Sequence, residues 1–184
     1  MLFRSLKYFK IGLVPNIKIA SKLGSLIASN KPELVVIDPI LKSGTGKKLF
    51  LKKDLNSLIE KLYRKATLLT PNIYELKTLT NKTNIFDGIL FLQDQGIENV
   101  YVTGELKKGK IRNHLYSKGE LVNIDEVPKM KTTIHGSGCA LSTSILCFLA
   151  NKKSLKEACS KSQNLMRVLV KNSRNHIHQN ILKI

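Results

Sequence analysis

Short continuous apolar runs alternate along this chain with longer stretches in which apolar positions recur every three or four residues. The first pattern fits strands buried on both faces, the second amphipathic helices. Residues 8–14 read as a strand, and residues 17–28 as a helix with Ile19, Leu23, Leu26 and Ile27 on one side. Leu34-Val35-Val36-Ile37 is a buried strand that ends in Asp38-Pro39. A helix follows over 52–65 (Leu55, Leu58, Ile59 and Leu62 on one face), then a strand over 67–70 and a helix over 72–80. Residues 84–95 form another helix, with Gly96 where a C-terminal cap belongs, and residues 99–103 another strand. Ser117-Lys118-Gly119 joins 114–116 to 121–124 as a hairpin, and two helices, 138–150 and 154–171, close the pattern. Strand–helix alternation at this spacing means βαβ units, hence an α/β fold around a mostly parallel sheet covered on both faces. In such sheets, ligands sit beyond the carboxyl ends of the strands.

Length and composition narrow the class. The chain of 184 residues has no repeat or low-complexity tract, so one domain over 1–184 is expected. Its 42% apolar and 24% charged residues are globular values and exclude a disordered chain. Charge is the unusual feature: 31 basic against 13 acidic residues give a formal +18, which attracts polyanions without choosing among nucleotides, nucleic acid and head groups. The lysines are spread along the chain, as on a solvated basic surface. With 6% aromatic residues, no Trp and no helix-turn-helix or zinc-finger spacing, nucleic acid is not the expected partner. Cys139, Cys147 and Cys159 form no C-x-x-C pair, so neither disulfides nor a thiolate zinc site is expected, and a reducing cytoplasm is the natural setting. The apolar stretch at 140–150 is too short, and too interrupted by Ser142, Thr143 and Ser144, to enter a membrane. The first 32 residues carry no acid, as in a transit peptide, but 8–14 reads better as part of the folded domain.

Three segments carry candidate chemistry. In Thr132-Thr133-Ile134-His135-Gly136-Ser137-Gly138-Cys139-Ala140-Leu141-Ser142, a Gly-x-Gly turn opens onto an apolar helix. Glycines let backbone N–H groups approach an anion, and the helix N-terminus adds partial positive charge. Leu68-Leu69-Thr70-Pro71-Asn72-Ile73-Tyr74-Glu75 holds a capping box, Asn72 at the N-cap and Glu75 reaching back from the third helical position. Val35-Val36-Ile37-Asp38-Pro39-Ile40 leads into the small-residue loop Ser43-Gly44-Thr45-Gly46, which lacks Walker A spacing and so is not a P-loop. Alone, each segment also has a plain reading: a helix start, a cap and a turn.

Together the three segments resemble the hydroxymethylpyrimidine/phosphomethylpyrimidine kinases of the ribokinase superfamily. The 132–142 segment is similar to their T-x-x-x-H-G-T-G-C-T-x-S signature, 70–75 to T-P-N-x-x-E, and 35–40 to V-V-x-D-P-V, while Lys10-Ile11-Gly12 resembles K-I-G-M. The resemblance implies a ribokinase-like α/β/α sandwich and transfer of phosphate from ATP, with Mg2+, to a hydroxymethyl heterocycle in thiamine synthesis. It implies an anion hole at Gly136, Ser137 and Gly138, with Cys139 as the base. Asn72, Glu75, Thr103, Gly104 and His135 would bind the nucleotide, and Asp38 and Glu75 the magnesium ion. A helix N-terminus lowers a thiol's pKa, which would favour the thiolate of Cys139. Cys147 and Cys159 are expected to pack.

Besides mild departures at Ser137 and Ala140, the chain departs from the family seriously in two places. It lacks the family's first strands, with the substrate loop and flap, so an exposed sheet edge is expected, and a homodimer covering it stays open. The chain is then a mis-started, partial or decayed version of the family's domain. Thr103 and Glu105 stand where the family has a lysine and a glycine, with Lys107, Lys108 or Lys110 as substitutes for the cation. Asn175-His176-Ile177-His178-Gln179 occupies the place of a terminal G-H-G-x-G-P and reads as a frayed end. A pyridoxal kinase, or a non-catalytic remnant that works only as a partner, are the other readings.

Overall fold

A computed structural model describes residues 6–42, 49–129, 136–172, 175–176 and 179–180. Four strands run parallel: β1 (Tyr8–Ile11), β2 (Leu34–Ile37), β3 (Leu68–Leu69) and β4 (Asn99–Lys107). Beyond β4 the sheet turns antiparallel through β5 (Lys110–Ser117) and β6 (Glu120–Pro128), giving one six-stranded sheet in sequence order. Between the parallel strands lie helices α1 (Ile17–Asn30), α2 (Leu55–Lys61), α3 (Ile73–Thr80) and α4 (Ile85–Asp94). Helices α5 (Ser137–Ala150) and α6 (Leu155–Asn172) follow the sheet, and a small ladder pairs β7 (Asn175–His176) with β8 (Gln179–Asn180).

Alternation along each strand sorts the layers. Val35, Ile37, Leu69, Val100 and Val102 point to one face and pack with Ala20, Leu58, Leu76 and Leu92 of α1–α4. Val36, Leu68, Tyr101 and Leu115 point to the other and pack with Leu141, Ile145, Cys159 and Met166 of α5 and α6. The result is the expected three-layer sandwich; each fully buried aliphatic side chain in it contributes about 1.5–3 kcal/mol. Among the described residues, β1 is the outer strand at the parallel end of the sheet and β6 at the antiparallel end.

Local chemistry fixes the boundaries. The Asn16 side chain caps α1 by accepting from Ile19 N–H at 3.0 Å, and Asn84 caps α4 from Asp87 N–H at 2.8 Å. At the far end of α4, Ile97 N–H reaches Leu92 O (3.0 Å) and Gly96 N–H reaches Gln93 O (2.8 Å), with Gly96 at φ +85, a Schellman motif. The structure differs from the sequence reading at several elements. The first strand stops at Ile11, the 52–65 helix divides into a central helix between two short 3-10 turns, and β4 and β5 run several residues longer than expected. The long hairpin depends on Lys108 and Gly109, both at positive φ (48 and 74), and the expected one on Lys118 and Gly119 (50 and 81). Two successive left-handed residues match the twist of paired strands.

Candidate active site

The parallel strands end side by side. Asp38 N–H extends the β1–β2 ladder by donating to Ile11 O (2.8 Å), after which Pro39 has no N–H to continue it. Thr70 N–H donates to Ile37 O (2.9 Å), and Thr103 N–H to Pro71 O (2.9 Å), so the tips after β2, β3 and within β4 stand in one row. Above that row is a cavity of about 550 Å3 lined by Asp38, Lys42, Asn72, Glu75, Thr103 and the first turn of α5 (Gly136–Cys139). Eight of the predicted site residues therefore meet in one place.

The capping box at the start of α3 is present: Glu75 N–H donates to Asn72 Oδ1 and Asn72 N–H to Glu75 Oε2, both at 2.9 Å. This holds the Glu75 carboxylate, 9% exposed, against the cavity. Burial, with a smaller contribution from the negative charge of Asp38, lifts its pKa to about 7, against the hydrogen bonds from Asn72 and the Leu41 amide. Asp38 is 6% exposed, and burial raises its carboxyl too, opposed by Lys10, whose Nζ is 3.9 Å from Oδ2, and by Cys139 and Ser142. Ser142, fully buried on α5, places its hydroxyl 3.4 Å from Asp38 Oδ2 and 3.0 Å from Gly138 O.

Across the cavity, α5 begins at Gly136, whose φ of +88 is a left-handed conformation that disfavours any side chain. No side chain caps this helix, and its first intrahelical bond is Ala140 N–H to Gly136 O. The amides of Ser137, Gly138 and Cys139 thus precede the helical ladder and border the cavity. Among the described residues, a Cβ at Gly138 would meet only Asp38 Oδ2, at 3.9 Å. The helix end therefore opens onto free space beside a carboxylate, the geometry of an anion site next to a cation site.

Cys139 corrects one expectation. Its thiol is raised rather than lowered, first by desolvation at the cavity wall and further by the Asp38 carboxylate it hydrogen-bonds, with Lys10 opposing. The protonated thiol is therefore favoured. Cys159 is buried as expected, whereas Cys147 is exposed on α5 rather than packed.

A second cavity of about 360 Å3 continues from the first, sharing Thr103, Ser137, Gly138 and Leu141. Its walls are mainly apolar (Ile111, Val127, Pro128, Met166, Val170), and Gly104, also a predicted residue, lines it rather than the first cavity. The cations expected to replace the missing lysine are elsewhere. Lys110 pairs with Glu126 at 3.1 Å, and Lys107, Lys108 and Lys110 line neither cavity. Glu105 faces away too, bonded to His114 at 2.7 Å. Lys42 lines the first cavity, its Nζ 3.7 Å over the Tyr74 ring, and Lys129 and Arg167 line the second. Sequence reasoning missed these three, and with them Asn113 and Gln163 of the apolar end; no local pattern marks them. Ser142 had one signal, a small polar residue four positions after Gly138 on a helix otherwise apolar on that side. His135 and the loop at 43–48 lie outside the described residues.

Among the described residues no three His, Cys, Asp or Glu side chains group as a metal cage. Two buried carboxylates with raised pKa values still fit a hard cation that keeps most of its water or phosphate ligands, as magnesium does. None of the helices among the described residues is long and apolar enough to cross a membrane.

The comparisons with known proteins agree with this geometry. Residues 4–182 match the family profile described as phosphomethylpyrimidine kinase. The hydroxymethylpyrimidine/phosphomethylpyrimidine kinase of Helicobacter pylori is 28% identical over 183 residues, covering 95% of this chain and 68% of that protein. A pyridoxine kinase of Bacillus subtilis is 27% identical over 173 residues, 89% of this chain and 64% of its own length. The chain thus spans about two thirds of these relatives. In fold it is similar to the pyridoxal kinase of Staphylococcus aureus in complex with ADP (TM-score 0.84, 21% identity, 96% of this chain and 67% of that one). With the profile running through nearly its whole length, the chain belongs to the phosphomethylpyrimidine kinase family.

Proposed function

We propose that this cleft transfers the terminal phosphoryl group of ATP to the hydroxymethyl group of 4-amino-5-hydroxymethyl-2-methylpyrimidine or its monophosphate, a step toward thiamine. The observation that carries the reading is the uncapped start of α5 at Gly136–Cys139, facing the Asp38 and Glu75 carboxylates across one cavity. The apolar cavity takes the nucleoside, and the phosphates extend past Thr103 and Gly104 to the amides of Ser137, Gly138 and Cys139. Asp38, with Glu75 and Asn72 through water, would hold a magnesium ion, which supplies charge neutralisation at the phosphates. The acceptor hydroxyl oxygen bonds to the terminal phosphorus as the bond to the bridging oxygen breaks, ADP leaves with that electron pair, and the hydroxyl proton passes to an oxygen of the transferred phosphoryl group and on to solvent. The helix amides stabilise charge on the moving group. Such a loose transition state asks little of a base, so Cys139 serves chiefly to hold the acceptor hydroxyl in line.

Similarity to a pyridoxine kinase and to pyridoxal kinase structures supports a second reading, pyridoxal as the acceptor. An ADP-release assay with each acceptor separates the two. Faster turnover of the pyrimidine supports the first reading and faster turnover of pyridoxal the second. No turnover of either would defeat both readings and leave a nucleotide-binding protein without this activity.

A further inference from the structure

The two cavities meet at an irregularity in the sheet. In the β4–β5 ladder Val102 pairs with His114 and Glu105 with Arg112, so Thr103 and Gly104 together oppose the single residue Asn113. This is a β-bulge with its glycine at φ +85, and it leaves a backbone N–H without a ladder partner. Asn113, 3% exposed, supplies that partner: its Oδ1 accepts from Gly104 N–H at 2.9 Å. Its Nδ2 donates to Gln163 Oε1 of α6 at 2.6 Å, and its amide also hydrogen-bonds the Tyr101 hydroxyl. The bulge is what allows Thr103 to line both cavities, and one buried amide ties it to the helix forming the opposite wall.

We propose that Asn113, braced by Gln163, is a positioning residue for nucleotide binding: it holds the Thr103–Gly104 bulge at the junction where the nucleoside end meets the phosphate end. This rests on the assignment of the cleft to a nucleotide. A leucine at 113 fills the same space but leaves Gly104 N–H unpaired, so the bulge relaxes and must be re-formed when ligand binds.

The test is calorimetric titration with Mg-ADP of wild type, Asn113→Leu and Asp125→Ala. Asp125 is the control: it binds Tyr101 (2.8 Å) and Ser160 (2.6 Å) in a polar network of the same layers but lines neither cavity. Asn113→Leu should weaken Mg-ADP by about tenfold, the size of one orphaned buried donor. It should also speed hydrogen exchange at the Gly104 amide. Asp125→Ala should lower the melting temperature yet leave both readouts at wild-type values. Equal affinity of Asn113→Leu and wild type overturns the proposal while the nucleotide reading stands. Equal weakening by Asp125→Ala reduces Asn113 to a general structural role and overturns it as well. No binding by wild type defeats the nucleotide reading itself. If Asn113→Leu does not fold, Gln163→Ala takes its place, and unchanged affinity there is equally fatal.

Discussion

The two ends of the cleft draw on different parts of the chain. At the carboxylate end the working groups are backbone amides of α5, strand-tip carboxylates and a capping box, contributed by short contiguous segments at 38–40, 70–75 and 136–142. At the apolar end they are side chains scattered from 103 to 170, on β4–β6, α5 and α6, most of them half-buried or exposed and carrying no local motif. The first end depends on sharp local geometry, a left-handed glycine and two proline-terminated strands, whereas the second depends on tertiary packing. Substitutions at the first end should therefore act on chemistry and charge, and at the second on affinity alone.

Cys139→Ala tests the chemical side most strongly. It should lower kcat by about a hundredfold, the scale of misplacing the acceptor hydroxyl, while nucleotide affinity changes by less than about twofold. Equal losses in affinity would erase the division between the two ends. Next is Glu75. Its folded pKa of about 7 lies above the ordinary 4.5, so the folded state favours the protonated form. The stability this group contributes is complete below about pH 4.5 and is lost as pH rises through about 7. Relative to Glu75→Gln, the ligand-free wild type should lose about 3 kcal/mol between pH 4.5 and 8.5 in denaturant unfolding. Magnesium added at the higher pH should restore part of it to wild type only; parallel pH profiles would remove the buried charge from the account. At the apolar end, Ile111→Ala should weaken nucleotide about fivefold with kcat unchanged, the cost of a few lost methylene contacts. Smallest of all, Lys107→Ala with Lys108→Ala should leave affinity within about twofold, because these lysines line neither cavity. A larger loss would return the hairpin tip to the phosphate site.

The same division explains what the sequence made legible. Two of the parallel strands, β2 and β3, announced themselves as short apolar runs ending at proline, and Asn72 and Glu75 as the spacing of a helix start. Gly136 and Gly138 were readable because a positive φ and an open approach call for residues without a Cβ. Nothing comparable marks the apolar end. Lys108-Gly109 hid a hairpin turn inside a run of lysines, and Asn113 and Gln163, fifty positions apart, come together only once α6 lies across the sheet. The raised thiol of Cys139 was misread for a related reason: the helix end is local and visible, whereas the burial that raises the thiol, and the Asp38 carboxylate that adds to it from a strand about a hundred residues earlier, come only with the fold.

Whether the first turn of α5 is a phosphate site is decided most directly by titrating Mg-ATP into wild type and Gly138→Val. Among the described residues only Asp38 Oδ2 comes within 4 Å of a Cβ at this position, at 3.9 Å, so the unliganded fold should accept the change with little loss of melting temperature. A side chain there would occupy the path of the anion, and affinity should fall by about a hundredfold, the scale of a lost charge-stabilising donor in such sites. Undiminished Mg-ATP binding by a well-folded Gly138→Val would contradict the account.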